Sequence, residues 1–157
     1  MSVRALLAAC GAFLAGVVWM DLMFDVQALG GDAGPLPAAA LTSIAAYYRR
    51  VTTDAHPMGN LIAAVMLVAI AGAVWGVVRR ERRALDWLAL VLATGPIGLA
   101  GGRVLPNAVR LGTSVDTLEA RSALARLIAR DHVLCFVAIA GFAATQVALA
   151  RRSRQAD

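Results

Sequence analysis

Apolar runs of about 20 residues recur four times along this chain, with charged or turn-forming residues between them. At a rise of about 1.5 Å per residue, a helix of that length crosses a hydrocarbon layer about 30 Å thick. The pattern predicts spans at residues 3–24, 58–78, 84–105 and 131–150. We therefore expect an all-α fold, a bundle of four transmembrane helices that makes residues 1–157 a single integral membrane domain.

Composition agrees with a membrane protein and argues against the other broad classes. Hydrophobic residues make up 60% of the chain and charged residues 16%, which excludes a disordered chain and disfavours a soluble domain. The formal net charge of +5 would suit a nucleic-acid partner, but the charges stand at the ends of apolar runs. We expect the lipid bilayer as the partner, and no nucleic acid. The spacing of His, Cys and carboxylate residues matches no metal site, and neither a metal nor a cofactor is expected.

The distribution of arginines sets the predicted orientation. Eight arginines fall on one side of the spans and seven on the other, so their number alone decides little. The eight lie at Arg4, in the loop 79–83 and in the tail 151–154, whereas the seven are matched by acidic residues or belong to amphipathic helices. We predict a multi-pass protein of the cell membrane with both termini in the cytoplasm.

The first outer connection is expected to contain a helix. Residues 30–35, with the sequence GGDAGP, interrupt the first helix. Beyond them, apolar residues recur at spacings of 3, 4 and 3 and form one stripe on a helix over about residues 37–53. The stripe comprises Leu41, Ile44, Tyr48 and Val51. Such a helix lies on the membrane surface or caps the bundle.

The second outer connection is expected to lead into an extended fourth helix. Ser114 is a suitable N-cap, and Asp116 with Glu119 adds negative charge to the first turn. From there the helix is predicted to continue without a break into the fourth span and to project beyond the bilayer. Its periodicity places Asp131 on the inward face. The opposite face carries Glu119, Arg126 and Arg130.

Ionisable residues on three spans are predicted to meet at the outer end of the bundle. They comprise Asp21, Asp25, Arg103, Arg110, Asp131 and His132, with Asn107 in the same stripe as the two arginines. Charges at membrane depth are costly unless they are paired or hydrated, so we expect ion pairs. Arg103 should pair with Asp21 or Asp25. Arg110 should pair with Asp131.

The third span is the irregular one. Gly95-Pro96, Gly101-Gly102 and Pro106 weaken its helix, and Pro106 removes a backbone hydrogen bond within the polar stripe. Such breaks are tolerated at membrane depth where neighbouring protein or water satisfies the freed backbone groups. Because the weak helix and the charges coincide, the outer end is the strongest candidate for a functional site.

The residue types suggest acid–base chemistry. The catalytic candidates are Asp21, Asp131 and His132, and the binding candidates are Asp25, Arg103, Asn107, Arg110 and Tyr48. One of the aspartates would act as the base, and the arginines and the asparagine would hold an anionic or enolic group. In the alternative interpretation the Asp–Arg pairs only lock the helices together, and His132 is solvated by lipid headgroups. Tyr47 and Tyr48 would then belong to an interfacial aromatic belt.

Several segments together resemble a known family. They are Met20-Asp21-Leu22-Met23-Phe24-Asp25, Tyr47-Tyr48-Arg49-Arg50, Arg103-Val104-Leu105-Pro106-Asn107 and Arg130-Asp131-His132. In layout the chain resembles the anthrone-oxygenase-like family of small four-helix membrane proteins. The resemblance implies the same four-helix fold. For the activity it implies a cofactor-independent oxygenase that converts an anthrone to an anthraquinone.

The residues leave three functions open. A membrane enzyme would act on a hydrophobic phenolic or enolisable small molecule held between apolar walls. A non-catalytic accessory subunit or scaffold would use the Asp–Arg pairs for structure, and would bind a membrane partner protein or a second copy of the chain. A small transporter ranks last, because neither an inverted repeat nor a mid-bilayer carboxylate is present in the sequence.

Overall fold

The structure, a computed structural model, describes residues 2–30, 34–79, 84–113 and 115–156. Within these ranges every regular element is a helix, and no strand occurs. Three parts of the sequence-based predictions lie outside the described residues: the centre of the 30–35 break, the arginines at 80, 82 and 83, and the Ser114 cap. Four stretches are long and apolar enough to cross a membrane, as predicted: Val3–Leu29, Pro57–Arg79, Ala84–Thr113 and Leu118–Arg152.

The first two spans are single helices. Helix α1, Val3–Leu29, begins at the N-cap Ser2, whose hydroxyl accepts a hydrogen bond from the backbone N–H of Ala5. Helix α3, His56–Arg79, forms the second span and packs beside α1. Gly72 is one point of close approach, since a Cβ there would lie 2.4 Å from the side chain of Leu7. Both helices continue beyond the predicted spans by a few residues.

The third span contains the predicted irregularity. Helix α4, Ala84–Leu99, passes into a π-helical turn, Ala100–Val104, and continues as helix α5, Leu105–Thr113. In the turn, the backbone N–H of Leu105 donates to the carbonyl of Ala100, five residues earlier. The wider turn comes directly before Pro106, whose ring would clash with the carbonyl four residues earlier in a regular α-helix. The helix is therefore widened at the predicted site and is not interrupted.

The first outer connection forms a helix that caps the bundle. Helix α2, Ala38–Thr53, matches the predicted element closely. Leu41, Ile44 and Tyr48 of its apolar stripe are buried, whereas Val51 is 37% exposed. Buried residues of α5 and α6 pack beneath α2, so this helix caps the bundle.

The last helix is the longest element. Helix α6, Leu118–Ala156, has 39 residues and extends for about 58 Å, nearly twice the thickness of the hydrocarbon layer. Its N-cap is Thr117, whose hydroxyl accepts from the N–H of Ala120, so the predicted start at residue 114 is too early. Asp131 is fully buried and Arg130 is exposed, which confirms the predicted faces.

The inner end of the bundle holds a buried ion pair that the sequence analysis missed. Arg4, predicted to be a cytoplasmic anchor, is only 5% exposed and donates to the carboxylate of Asp86 and to Oε1 of Gln146. A Cβ on Gly76 would lie 3.2 Å from the guanidinium, so a glycine leaves the room for it. This cluster joins α1, α4 and α6 at the end opposite the predicted site.

Candidate functional site

A buried carboxylate, imidazole and phenol form the centre of the outer cluster. The Nδ1 atom of His132 lies 2.6 Å from Oδ2 of Asp25, and the hydroxyl of Tyr48 donates to Oδ1 of Asp25 at 2.6 Å. Asp25 is 0%, Tyr48 2% and His132 6% exposed. Because a carboxylate only accepts, Nδ1 of His132 is assigned as the donor in this contact.

A second carboxylate faces the other side of the imidazole. Oδ2 of Asp21 lies 3.8 Å from Nε2 of His132, and Oδ1 of Asp21 accepts from the hydroxyl of Tyr47 at 2.5 Å. The ring of Tyr47 stacks on Phe24 with a centroid separation of 4.0 Å. The gap between Nε2 and Asp21 is longer than a hydrogen bond, which leaves this nitrogen available to a ligand.

Helix geometry brings these residues together. Asp21 and Asp25 are one turn apart on α1, and the cap helix α2 places its two tyrosines above them. His132 reaches the same point from α6, where it follows the inward-facing Asp131 and is likewise buried. Three elements far apart in sequence thus build one cluster.

The predicted ion pairs are wrong in their partners. Arg103, in the π-helical turn, binds Asp131 through two hydrogen bonds, of which the Nε–Oδ2 bond is 2.6 Å long. Asp131 is fully buried, whereas 43% of the Arg103 side chain is exposed. The aspartates of α1 instead contact the tyrosines of α2 and His132.

Arg110 and Asn107 lie apart from this cluster. Arg110 forms a bidentate pair with Asp116, both bonds 2.8 Å long, in the short connection before α6. Hydrogen bonds from Arg110 lower the pKa of Asp116, an effect that burial partly opposes. In the described part of the chain no hydrogen bond joins Asn107 to the cluster, contrary to prediction. Neither Arg103 nor Arg110 therefore pairs with the carboxylates of α1.

An apolar cavity of about 580 Å³ opens beside the imidazole. His132, Asp21 and the two tyrosines form its polar end, and its walls are aliphatic down to Phe142. Ten residues of α6 separate His132 from Phe142, which gives a depth of about 15 Å. The cavity is lined by Leu14, Val18, Ile62, Met66, Ala69, Ala93, Pro96, Val104, Cys135, Ile139 and Phe142, among others.

The cavity also reaches the outer surface of the bundle. Met20, Met58 and Leu105 line it, and each is 50% or more exposed. These residues belong to three different spans, at the level of the polar end. The cavity is therefore open at the side of the bundle at this level.

The site holds both tyrosines of the chain in their protonated form. Burial raises the pKa of Tyr48, and the neighbouring Asp25 raises it further. Burial also raises the pKa of Tyr47, with Asp21 as the next cause. Both phenols are therefore fixed as hydrogen-bond donors to the carboxylates.

The environments of two site residues, Tyr47 and His132, differ from the predicted ones. Tyr47 was placed only in an aromatic belt, and His132 was expected to be solvated by headgroups in the structural alternative; both meet Asp21 here. The available signal was the position of Tyr47 and Tyr48 next to the apolar stripe of a capping helix, since a buried tyrosine hydroxyl needs an acceptor. Within the described residues no group of three or more His, Cys, Asp or Glu is arranged to hold a metal ion. Both cysteines, Cys10 and Cys135, are buried and free.

The chain matches no protein-family model, and neither a curated protein nor a solved structure matches it. The four apolar spans make it a small integral membrane protein. Any more specific statement of function depends on the site itself.

Proposed function

We propose that this protein is a membrane enzyme that removes a proton from a hydrophobic phenolic or enolisable molecule, with His132 as the base. The observation that carries the proposal is the Asp25–His132 contact of 2.6 Å at the polar end of a deep apolar cavity. A carboxylate on Nδ1 orients the ring and leaves Nε2 to accept a proton, and it stabilises the imidazolium that results.

The charges at the polar end restrict the form in which a substrate binds. Asp21 and two protonated phenols line it, Asp25 lies behind them and contacts His132 and Tyr48, and no arginine lines the cavity among the described residues. A ligand that carries a carboxylate or phosphate would meet repulsion without a cation to offset it. The substrate therefore arrives neutral and becomes an anion only when its proton passes to Nε2.

The proposed roles of the predicted site residues follow from these positions. Asp25 orients His132, Asp21 contacts the proton-donating group of the substrate, and Tyr48 holds Asp25 in place. Arg103, Arg110 and Asp131 act in the structure of the outer end, because their charges are paired with one another or with Asp116. The resemblance to anthrone-oxygenase-like proteins supports the same substrate class, since anthrones are apolar and enolisable.

The experiment uses an alkyl-substituted para-nitrophenol, whose anion is yellow, and its methyl ether, which has no acidic proton. In nanodiscs we expect the wild type to bind both molecules and to convert the phenol to its anion at a pH where the free phenol is neutral. His132→Gln should still bind the ether but fail to ionise the phenol. Asp25→Asn should weaken the ionisation, whereas Asp116→Asn, in an exposed pair, should leave it unchanged.

A non-catalytic accessory or scaffold function is the second candidate. It is favoured by one observation: the hydrogen bonds of Asp25, Tyr48 and Tyr47 are complete without a ligand. In that case neither molecule binds, His132→Gln and Asp25→Asn only reduce the amount of folded protein, and a partner protein co-purifies in mild detergent. Binding of the phenol without ionisation would contradict both the enzyme proposal and this alternative.

A further inference from the structure

A second pocket, of about 700 Å³, lies on the outer face of the cap helix and is independent of the candidate active site. One face of α2 contributes Thr42, Arg49 and Thr53 to it, and Arg50 and Asp54 stand at its edge. Arg121 closes it from α6. Its character is the reverse of the cavity beside His132, because three guanidinium groups face a single carboxylate.

The close approach of two helices builds this pocket. Gly112, at the end of α5, lies directly against the backbone of Arg49, where a Cβ on the glycine would be 3.0 Å from the amide nitrogen. This contact draws α5 and the start of α6 onto α2. As a result, Arg121 faces Arg49 and Arg50 across the pocket although more than 70 residues separate them in the sequence.

These arginines are not neutralised in the described part of the chain. The ion pairs of the outer arginines there join Arg103 to Asp131 and Arg110 to Asp116, and none includes Arg49, Arg50 or Arg121. Asp116 acts on Arg121 only at longer range, because both its oxygens are bonded to Arg110.

The Arg121 side chain that lines the pocket also carries a buried donor without an acceptor. The Nε atom of Arg121 is inaccessible to solvent, and it makes no hydrogen bond. A buried N–H of a charged group without an acceptor is energetically costly, so such groups usually have a partner. The hydroxyls of Thr42 and Thr53 donate to backbone carbonyls of α2, and neither accepts from this atom.

We propose that this pocket binds a phosphate group, through the guanidinium groups of Arg49, Arg50 and Arg121. Phosphate has three or more acceptor oxygens in a tetrahedral arrangement, which suits guanidinium groups that converge from two helices. The position of the pocket at the outer end of the bundle offers two sources of this group, a phospholipid headgroup or free inorganic phosphate.

The test combines two probes with matched variants. Detergent-solubilised wild type is titrated with inorganic phosphate and followed by thermal unfolding and by calorimetry. In parallel, native mass spectrometry measures lipid retained from nanodiscs of phosphatidylcholine with and without phosphatidylglycerol. The variants are Arg49→Gln, Arg121→Gln and, as a control, Arg130→Gln, which removes an exposed arginine of α6 outside the pocket.

We expect loss of one pocket arginine to weaken binding by about tenfold, with no change in Arg130→Gln. If inorganic phosphate stabilises the wild type and the pocket variants lose this effect, the free anion is a ligand. If only lipid is retained, and retention falls in the pocket variants, the ligand is the headgroup phosphate. Equal behaviour of the wild type, both pocket variants and the control with both probes would overturn the proposal. Because Arg49 is exposed, Arg49→Gln provides the test even if Arg121→Gln does not fold.

Discussion

The hydroxyl of Tyr48 is a buried donor to a buried carboxylate, and its removal leaves Oδ1 of Asp25 without a hydrogen-bond donor. We predict that Tyr48→Phe lowers the free energy of unfolding by about 1–3 kcal/mol, because Oδ1 of Asp25 loses its partner without access to water. Tyr47→Phe should cost less, since 19% of the Asp21 side chain is exposed and water can replace the lost donor. Reversible unfolding in mixed micelles measures both variants. Equal losses would contradict the difference in burial.

The ionisation of the same two residues gives a prediction for high pH. Burial and the nearby carboxylates raise the pKa of both tyrosines, and the chain has no others. An unfolded chain loses these protons near pH 10, whereas the folded chain keeps them, so the free energy of unfolding should fall as the pH rises above about 10. Ultraviolet difference absorbance should show tyrosinate only together with unfolding. Ionisation near pH 10 with the fold intact would contradict this environment.

At the level of the helices, the contact between α1 and α6 depends on a small residue. A Cβ on Gly11 would lie 2.9 Å from the Cβ of Ala143 and 3.2 Å from its Cα, so the helices must separate. We predict that Gly11→Ala lowers the free energy of unfolding by about 1–3 kcal/mol. Gly16→Ala is the matched control, because a Cβ there has open space. Micelle unfolding distinguishes the two, and a neutral Gly11→Ala would show that the helices are not in close contact.

The π-helical turn makes a separate prediction about α5. Deletion of Gly102 should convert the turn to a regular α-helix, in which the ring of Pro106 clashes with the carbonyl four residues earlier, so the folded yield should fall. Gly102→Ala keeps the chain length and meets no neighbour, so it should be tolerated. Folded yield and thermal unfolding measure the contrast. A deletion variant as stable as Gly102→Ala would mean that the extra residue in the turn has no structural role.

The elements were predictable from sequence to a large extent, whereas the partners of the charged residues were not. Apolar length and the 3-4-3 stripe identify the spans and the cap helix, because both depend on local periodicity. The pairing of Arg103 depends on the rotation that the π-helical turn introduces, and the pairing of Asp25 depends on where α2 lies over the bundle. Neither follows from the spacing of residues along one helix.

Across the whole molecule, the orientation in the membrane stays a prediction. Four spans place the two termini on one side, and the contact of Arg4 with Gln146 agrees with this. We predict that this side is the cytoplasm. A membrane-impermeant thiol reagent on intact cells, applied to Cys10→Ser/Cys135→Ser chains with a single new cysteine, should label Ala46→Cys of the exposed α2 face. It should not label Ser2→Cys, and the reverse pattern would contradict the orientation.

The inner ion cluster bears on the way in which the chain assembles during synthesis. Arg4 leaves the ribosome before Asp86, and Asp86 leaves it before Gln146. Until then the guanidinium has to remain at the water boundary, so the first span cannot take its final depth. The ion cluster at the predicted cytoplasmic end therefore forms only after α6 has entered the bilayer. A chain truncated before α6 would expose the charge of Arg4 to quality control.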